Sequence, residues 1–469
     1  MNSYDELLAA IMPSDGPTRD VLDPATGERI GTAPVHDAAA LTEAITAAQE
    51  AQPGWAALSD QARRDMLMRV ADAIEAAAEP LALLLSREQG KPLNGPNARF
   101  EVGACAAWLR ATAATDLPVE VVVDDGTDYA ELHYRPIGLV AAITPWNWPM
   151  MIAIWQIAPA LRMGNAVVAK PSEHTPLSGL GLIAVMNEVL PEGVLQAICG
   201  DGELGAAMVA DPAFGKIMFT GSTSTGQKII AGSADTITRL TLELGGNDAG
   251  IVLPDVDPVA IAEDLFWGAF INTGQTCAAL KRLYVHDDVY DQVVEALRGV
   301  ASAMPMGIGT DENNVLGPLQ NRMQWDVVDR LVEAAKADGG RVVLGGEPDR
   351  DAAGNFYPTT LIADLPADNA LVVEEQFGPA LPIVRYSDID EAVAMANSLD
   401  VGLGASVWSG DRDRARDVAA RLEAGTVWIN SHGGVHPLIP FGGVKKSGYG
   451  LEFGVDGLKS LAVPQVING

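Results

Sequence analysis

The sequence is short of cysteine: Cys105, Cys199 and Cys277 are the only three in 469 residues. An odd, widely spaced set builds no disulfide framework. Free thiols fit a reducing, cytoplasmic setting. No pair stands at CxxC or CxxxxC spacing, which removes thiolate zinc sites. Histidine is also sparse, with six residues and no HExxH pattern. His432 and His436 lie in a Gly/Pro-rich stretch without a carboxylate neighbour and read as loop residues, so no metal is expected. Basic residues number 31 against 62 acidic ones, a formal net charge of −31. That balance opposes nucleic acid, whose binding needs Lys and Arg at phosphates. It opposes an anionic membrane surface as well. The N-terminus lacks the basic segment and apolar core of a secretory signal. Long apolar runs are missing too, with one exception. Gly138–Leu161 carries no charge and could span a bilayer by length. Pro145, Asn147, Pro149 and Pro159 interrupt it, so a buried strand, a loop and a buried helix are expected instead of a membrane segment.

What is present is a chain of 48% hydrophobic and 20% charged residues, ordinary for globular domains with large cores. The length suits two or three domains. Helical periodicity dominates the first hundred residues, with Ser59 as an N-cap, Gly90 as a stop and another helix between Asn97 and Thr115. VEVVVDDGTDYAELHYRPIG then alternates like two strands around Asp125-Gly126, a hairpin signal, and reads as an arm that pairs with another subunit. From Gly138 the runs GLVAAIT, NAVVAK, VLQAIC, KIMFT and LTLEL alternate with helices starting near Met151, Pro176, Glu203 and Ser224. This is the pattern of parallel βαβ units in a doubly wound sheet, which binds ligands at the carboxyl ends of its strands. A second alternating region, Ala249 to Asn430, reads as a second α/β domain.

Five segments carry candidate chemistry. FTGSTSTGQKII puts Gly221 and Ser222 between a strand and a helix N-terminus, where pyrophosphate binds; a plain turn is the alternative. In NAVVAKPSEHTP, Lys170, Ser172 and Glu173 sit at a strand's carboxyl end, where a carboxylate accepts from ribose hydroxyls and repels a 2′-phosphate; a solvated turn explains them equally. TPWNWPM holds Asn147 in an apolar place, which requires that its amide be satisfied or used. It would serve as an oxyanion donor or simply turn the chain before Pro149. LELGGND ends a strand at Glu243, a general base if partly desolvated. GQTC presents Cys277 after a glycine turn; alone, a buried cysteine reads as packing.

Together with EEQFGP and PFGGVKKSG, these segments occur in an order that resembles the NAD(P)-dependent aldehyde dehydrogenase superfamily, from about Asp23 to the C-terminus. The spacing of Glu243 and Cys277 agrees with that family. The resemblance implies an α/β fold with a Rossmann-like cofactor domain (1–117 and 136–245), an α/β catalytic domain (246–448), and a small β oligomerisation arm and tail (118–135 and 449–469). It implies Cys277 as nucleophile, forming a thiohemiacetal and then a thioester. Asn147 and the Cys277 N–H would hold the oxyanion, and Glu243 would activate the hydrolytic water. The cofactor would contact Trp146, Lys170, Ser172, Glu173, Gly221, Ser222, Leu244, Glu375 and Phe377. Glu173 favours NAD, with NADP as the alternative.

Two departures from the pattern are small: Ser224 stands where many members carry Glu, and Leu451 where Arg is common. Trp155 replaces the Arg of succinate semialdehyde members. Trp148, Ile152, Trp155, Thr276 and Val435 suggest an apolar pocket for a hydrophobic or aromatic aldehyde. Glu243 favours release of a free acid; a semialdehyde-specific or CoA-acylating relative is the alternative. A homodimer or homotetramer is expected, with the Val119–Arg135 hairpin and the Ser460–Val466 run adding strands to a neighbour.

Overall fold

A computed structural model describes residues 1, 3–13 and 15–469. The first sheet has six strands, five of them parallel: Leu139–Ile143, Ala166–Lys170, Leu195–Ala197, Lys216–Thr220 and Arg239–Glu243. Leu139–Ile143 is central, with Ala166–Lys170 on one side and Lys216–Thr220 on the other. Ile143 pairs with both Lys170 and Phe219, and Thr220 pairs with Glu243. The carboxyl ends therefore align, and the loops that follow them share one edge. The strand order reverses around Leu139–Ile143, so the loop after it opens at the switch point where such sheets bind ligands.

Each central strand is buried on both faces, as parallel sheets require. Alternate residues feed two cores: Val140 and Ala142 join one, Leu139 and Ala141 the other. The charge-free stretch resolves as expected into the Leu139–Ile143 strand, a loop and the wholly buried helix Pro149–Arg162. Its Pro149 occupies the first turn, where a missing N–H is harmless. Among the described residues no helix is long and apolar enough to cross a membrane. Ser59 caps its helix by accepting from Ala62 N–H, and Gly90 ends the next helix in the left-handed region.

The second sheet has seven strands in the order Arg341–Leu344, Thr360–Ala363, Ala380–Tyr386, Leu280–His286, Asp248–Val252, Gly404–Trp408 and Thr426–Ile429. All pairings are parallel except the first. The Thr360–Ala363, Asp248–Val252 and Gly404–Trp408 strands carry no clear alternation and were not legible as strands. The hairpin of Thr18–Leu22 with Arg29–Pro34 likewise sits inside a region that reads as helical.

The third sheet is the arm: Ala462–Asn468 pairs antiparallel with Tyr129–Pro136, which pairs with Glu120–Asp124. Val122 is 60% exposed and Val466 64%. The tail divides differently from the sequence reading. Gly448–Tyr449 pairs with the Arg239–Glu243 strand, and helix Gly454–Ser460 packs on Pro149–Arg162. Only the terminal strand joins the arm.

Candidate active site

The loop after Leu139–Ile143 carries Asn147, which is buried. Its Nδ2 donates to the Gln275 carbonyl at 3.0 Å. Its own carbonyl accepts from Lys91 Nζ at 2.9 Å and Asn272 Nδ2 at 2.8 Å. Lys91 forms a fully buried ion pair with Glu101 Oε2 at 2.6 Å and faces the Trp148 ring at 3.5 Å. Glu101 Oε1 accepts from the N–H groups of Met150 and Met151, at 2.9 and 3.1 Å, at the start of the buried helix. Burial pulls the Lys91 ammonium down to about 8 against the attraction of Glu101. Lys91, Glu101 and Asn272 were not singled out in the sequence. The available signal was Glu101 within an otherwise apolar helical face beside Val102 and Cys105.

Cys277 is reached by an unusual turn. After helix Pro258–Phe270, Asn272, Thr273 and Gly274 all have positive φ, at 50°, 57° and 77°. For β-branched Thr273 this conformation is strained, by about 1–3 kcal/mol. Side chains hold it: Thr273 Oγ1 donates to Gly317 O and accepts from Gly317 N, and Gln275 Nε2 donates to Asn272 O. A Cβ on Gly274 would overlap the Gly378 carbonyl. Gly274→Ala is therefore expected to displace the Cys277 turn, with activity falling at least about tenfold and the thermal midpoint dropping, read by kinetics and differential scanning fluorimetry. Cys277 itself is half-buried. Burial pushes its thiol up to about 12; Lys281 opposes the shift, and Glu243 and Asp248 add to it. Trp148 Nε1 donates to Thr276 Oγ1 at 2.9 Å.

Glu243 closes the Arg239–Glu243 strand and is 4% exposed. Among the described residues neither of its carboxylate oxygens has a hydrogen-bond partner. Burial, then repulsion from Glu452, drives its pKa well above the usual carboxylate range. Glu452 is buried and unpartnered as well, and burial raises it to about 8 against the pull of Lys216.

The expected cofactor residues gather along the same edge. Lys170 ends its strand at 4% exposure, beside the buried Ser172 and half-buried Glu173. Ser222 caps helix Thr223–Gly232 by accepting from Thr225 N–H. Leu244 N–H donates to Ser447 O at 2.9 Å. Across the cleft, Phe377 meets Trp146 edge to face at 5.4 Å. Glu375 accepts from Gly246 N–H at 3.3 Å and pairs with Lys281 at 3.1 Å.

Of the expected pocket residues, Trp148 and Thr276 touch each other, and half-buried Val435 packs against the same core as Cys277. Ile152 is fully buried, and Trp155 packs against Phe453 at 4.9 Å and Trp108 at 5.6 Å. Trp428, missed in the sequence, is also half-buried against that core and donates to Gly434 O. His432 lies in a loop as read, but it has a carboxylate neighbour that the sequence reading did not expect. Its side chain is fully buried, 3.6 Å from Asp248 Oδ2, with Nδ1 at 2.8 Å from Ser406 Oγ. The carboxylate partner comes from a strand that is remote in sequence. No group of three or more potential metal ligands occurs among the described residues.

The aldehyde dehydrogenase family profile matches residues 11–467. A phenylacetaldehyde dehydrogenase from Pseudomonas fluorescens is 39% identical over 93% of this chain and 89% of its own. A geranial dehydrogenase from Castellaniella defragrans is 38% identical over 96% and 94%. Among solved structures, PnpE in complex with nicotinamide adenine dinucleotide superposes with a TM-score of 0.93 at 36% identity, covering 97% of this chain and 94% of that one. Lactaldehyde dehydrogenase from Escherichia coli gives 0.93 at 32% identity, over 97% and 96%. The chain belongs to the aldehyde dehydrogenase family.

Proposed function

We propose that this protein oxidises hydrophobic aldehydes to carboxylic acids with NAD, using Cys277 as nucleophile and Glu243 as base. The observation that carries this reading is the convergence of a half-buried thiol, two unused N–H donors and an unpartnered buried carboxylate. An amide nitrogen has two donors; Asn147 uses one on Gln275. The main-chain N–H of Cys277 makes no hydrogen bond among the described residues. Both donors are free to hold an oxyanion formed at a carbonyl attacked by Sγ.

The edge of the first sheet fits NAD. Lys170 is a buried residue whose Nζ has no hydrogen-bond partner among the described residues, and burial lowers its pKa. Such an ammonium suits ribose hydroxyls, with Glu173 beside it. At Gly221 a Cβ would come within 2.5 Å of the Phe219 ring, so the chain stays bare at the helix N-terminus. Glu375, Phe377 and Trp146 would flank the nicotinamide half, next to Leu244. Bound NAD supplies the two-electron acceptor that turns the thiohemiacetal into a thioester. Covalent capture by Cys277 divides the oxidation into two easier steps. Glu243 then takes a proton from water, and the acid leaves Cys277. The half-buried Trp428 and Val435, with Trp148 and Thr276, offer an apolar approach to the thiol. The phenylacetaldehyde and geranial dehydrogenases named above support an apolar substrate.

The test is reduced-cofactor formation across aliphatic, aromatic and acidic aldehydes, with NAD or NADP, with and without CoA. CoA-independent activity on apolar aldehydes that vanishes in Cys277→Ala is expected. Activity surviving that substitution, or none on any aldehyde, refutes the reading.

The arm supports a homodimer or a tetramer of dimers, since its exposed valines on an open sheet invite another chain. Val122→Asp is expected to shift the light-scattering mass towards the 49.2 kDa monomer. A reducing cytoplasm would keep Cys277 a thiol.

A further inference from the structure

Lys281 is the second residue of the Leu280–His286 strand, four positions past Cys277. Its side chain is 2% exposed, and a buried ammonium must be paired. Two partners of different kinds meet it. Nζ donates to the main-chain carbonyl of Cys277 and stands 3.1 Å from Glu375 Oε1. The Phe377 ring faces the same ammonium at 5.6 Å. Glu375 in turn accepts from Gly246 N–H, just past the end of the first sheet. One cation thus bridges the nucleophile's own peptide and a carboxylate of the cofactor cleft.

The charged groups that bear on the thiol are Lys281, Glu243 and Asp248, the last with His432 beside it. Both carboxylates disfavour a thiolate; the ammonium favours one. A carboxylate in contact with that ammonium cancels much of its field at the sulfur.

We propose that Lys281 is a positioning residue that couples cofactor engagement at Glu375 to the reactivity of Cys277. While Glu375 holds the ammonium, the thiol keeps its proton. When a ribose diol draws Glu375 into hydrogen bonds of its own, the carboxylate parts from Lys281, the ammonium's field at the sulfur is no longer cancelled, and the thiol proton leaves to water on the open side of Cys277. This rests on the NAD-dependent reading above.

The test follows alkylation of Cys277 by iodoacetamide in the full-length protein, without aldehyde, from about pH 6 to pH 10, across the ordinary thiol range. NAD is expected to accelerate alkylation of the wild type. Lys281→Met is expected to slow it at least about tenfold without cofactor and to abolish the NAD effect; Lys281→Arg should retain both. Glu375→Gln is expected to act in the opposite direction, raising the cofactor-free rate towards that of the NAD-bound wild type. That gain should vanish in Lys281→Met/Glu375→Gln, as a double-mutant cycle requires of coupled groups. Wild-type alkylation by Lys281→Met, or a Glu375→Gln gain that survives in the double variant, overturns the proposal. Should Lys281→Met fail to fold, Glu375→Gln decides: an unchanged or slower cofactor-free rate overturns it. Aldehyde oxidation by the wild type is measured in parallel. Its absence would overturn the dehydrogenase reading, while the cofactor-free comparison still decides this one.

Discussion

Replacing Glu243 by Gln is expected to leave one burst of reduced cofactor per active site and to stop turnover there. On the proposed mechanism, capture of the aldehyde needs Cys277 and the two oxyanion donors, none of which the substitution removes. Hydrolysis of the thioester needs a base, and loss of a positioned base reduces a rate by about 10²–10⁴. Stopped-flow absorbance gives the burst and the steady state in one trace. A variant with wild-type steady-state turnover would remove Glu243 from the mechanism. The pH dependence has a definite sign. As the proposed base, Glu243 would act only when ionised, and its pKa lies well above the usual carboxylate range because of burial and Glu452. Wild-type turnover should therefore rise with pH through that elevated value and fall as Glu243 is protonated. Glu452→Gln removes the neighbouring like charge, so the rising limb should move to lower pH. A limb that stays in place would mean that Glu452 does not act on Glu243.

Lys91→Met is expected to lower both stability and kcat. It leaves Glu101 buried without its counter-ion, and breaking such a pair costs about 3–5 kcal/mol. The damage reaches the chemistry because Lys91 Nζ also holds the Asn147 carbonyl, while Glu101 fixes the first N–H groups of the following helix. Losing alignment of one oxyanion donor reduces kcat by about 10²–10³. The midpoint should fall by several degrees and kcat should fall with KM little changed. Glu101→Leu alone should behave similarly. The pair Lys91→Met/Glu101→Leu should recover stability, since apolar replacements relieve the unpaired charge, without recovering kcat. Full recovery of kcat would show that the ion pair serves stability only.

The strands of the first sheet were legible because each is a short apolar run ending at a turn, and Asn147, Lys170, Gly221 and Glu243 stand at those ends. The arm was legible from Asp125-Gly126. The second layer of the site was not. Lys91 meets the Asn147 carbonyl, and Glu101 the helix after it, only through tertiary packing; the sequence marks Glu101 as a carboxylate on an apolar face but not what it pairs with. Asp248, Lys281 and His432 are brought together by strand order, which alternation alone does not specify. The left-handed turn at Asn272–Gly274 was half-visible: Gly274 permits it, but Asn272 and Thr273 adopt it because Gly317 and Gln275 hold them.

The pairing of Gly448–Tyr449 with the strand that ends in Glu243 joins segments roughly two hundred residues apart. Gly448 has a φ of 122°, and a Cβ there would overlap the Leu242 carbonyl, so only glycine lets the late segment dock. Contacts so distant in sequence form slowly, because chain entropy opposes their closure. The five parallel strands of the first sheet lie within residues 139–243, so their mutual pairing closes shorter loops than this late edge does. During refolding, affinity for the half of the cofactor that Lys170 and Glu173 would hold should therefore return earlier than turnover, and the interval between them would time the arrival of the strand beside Glu243.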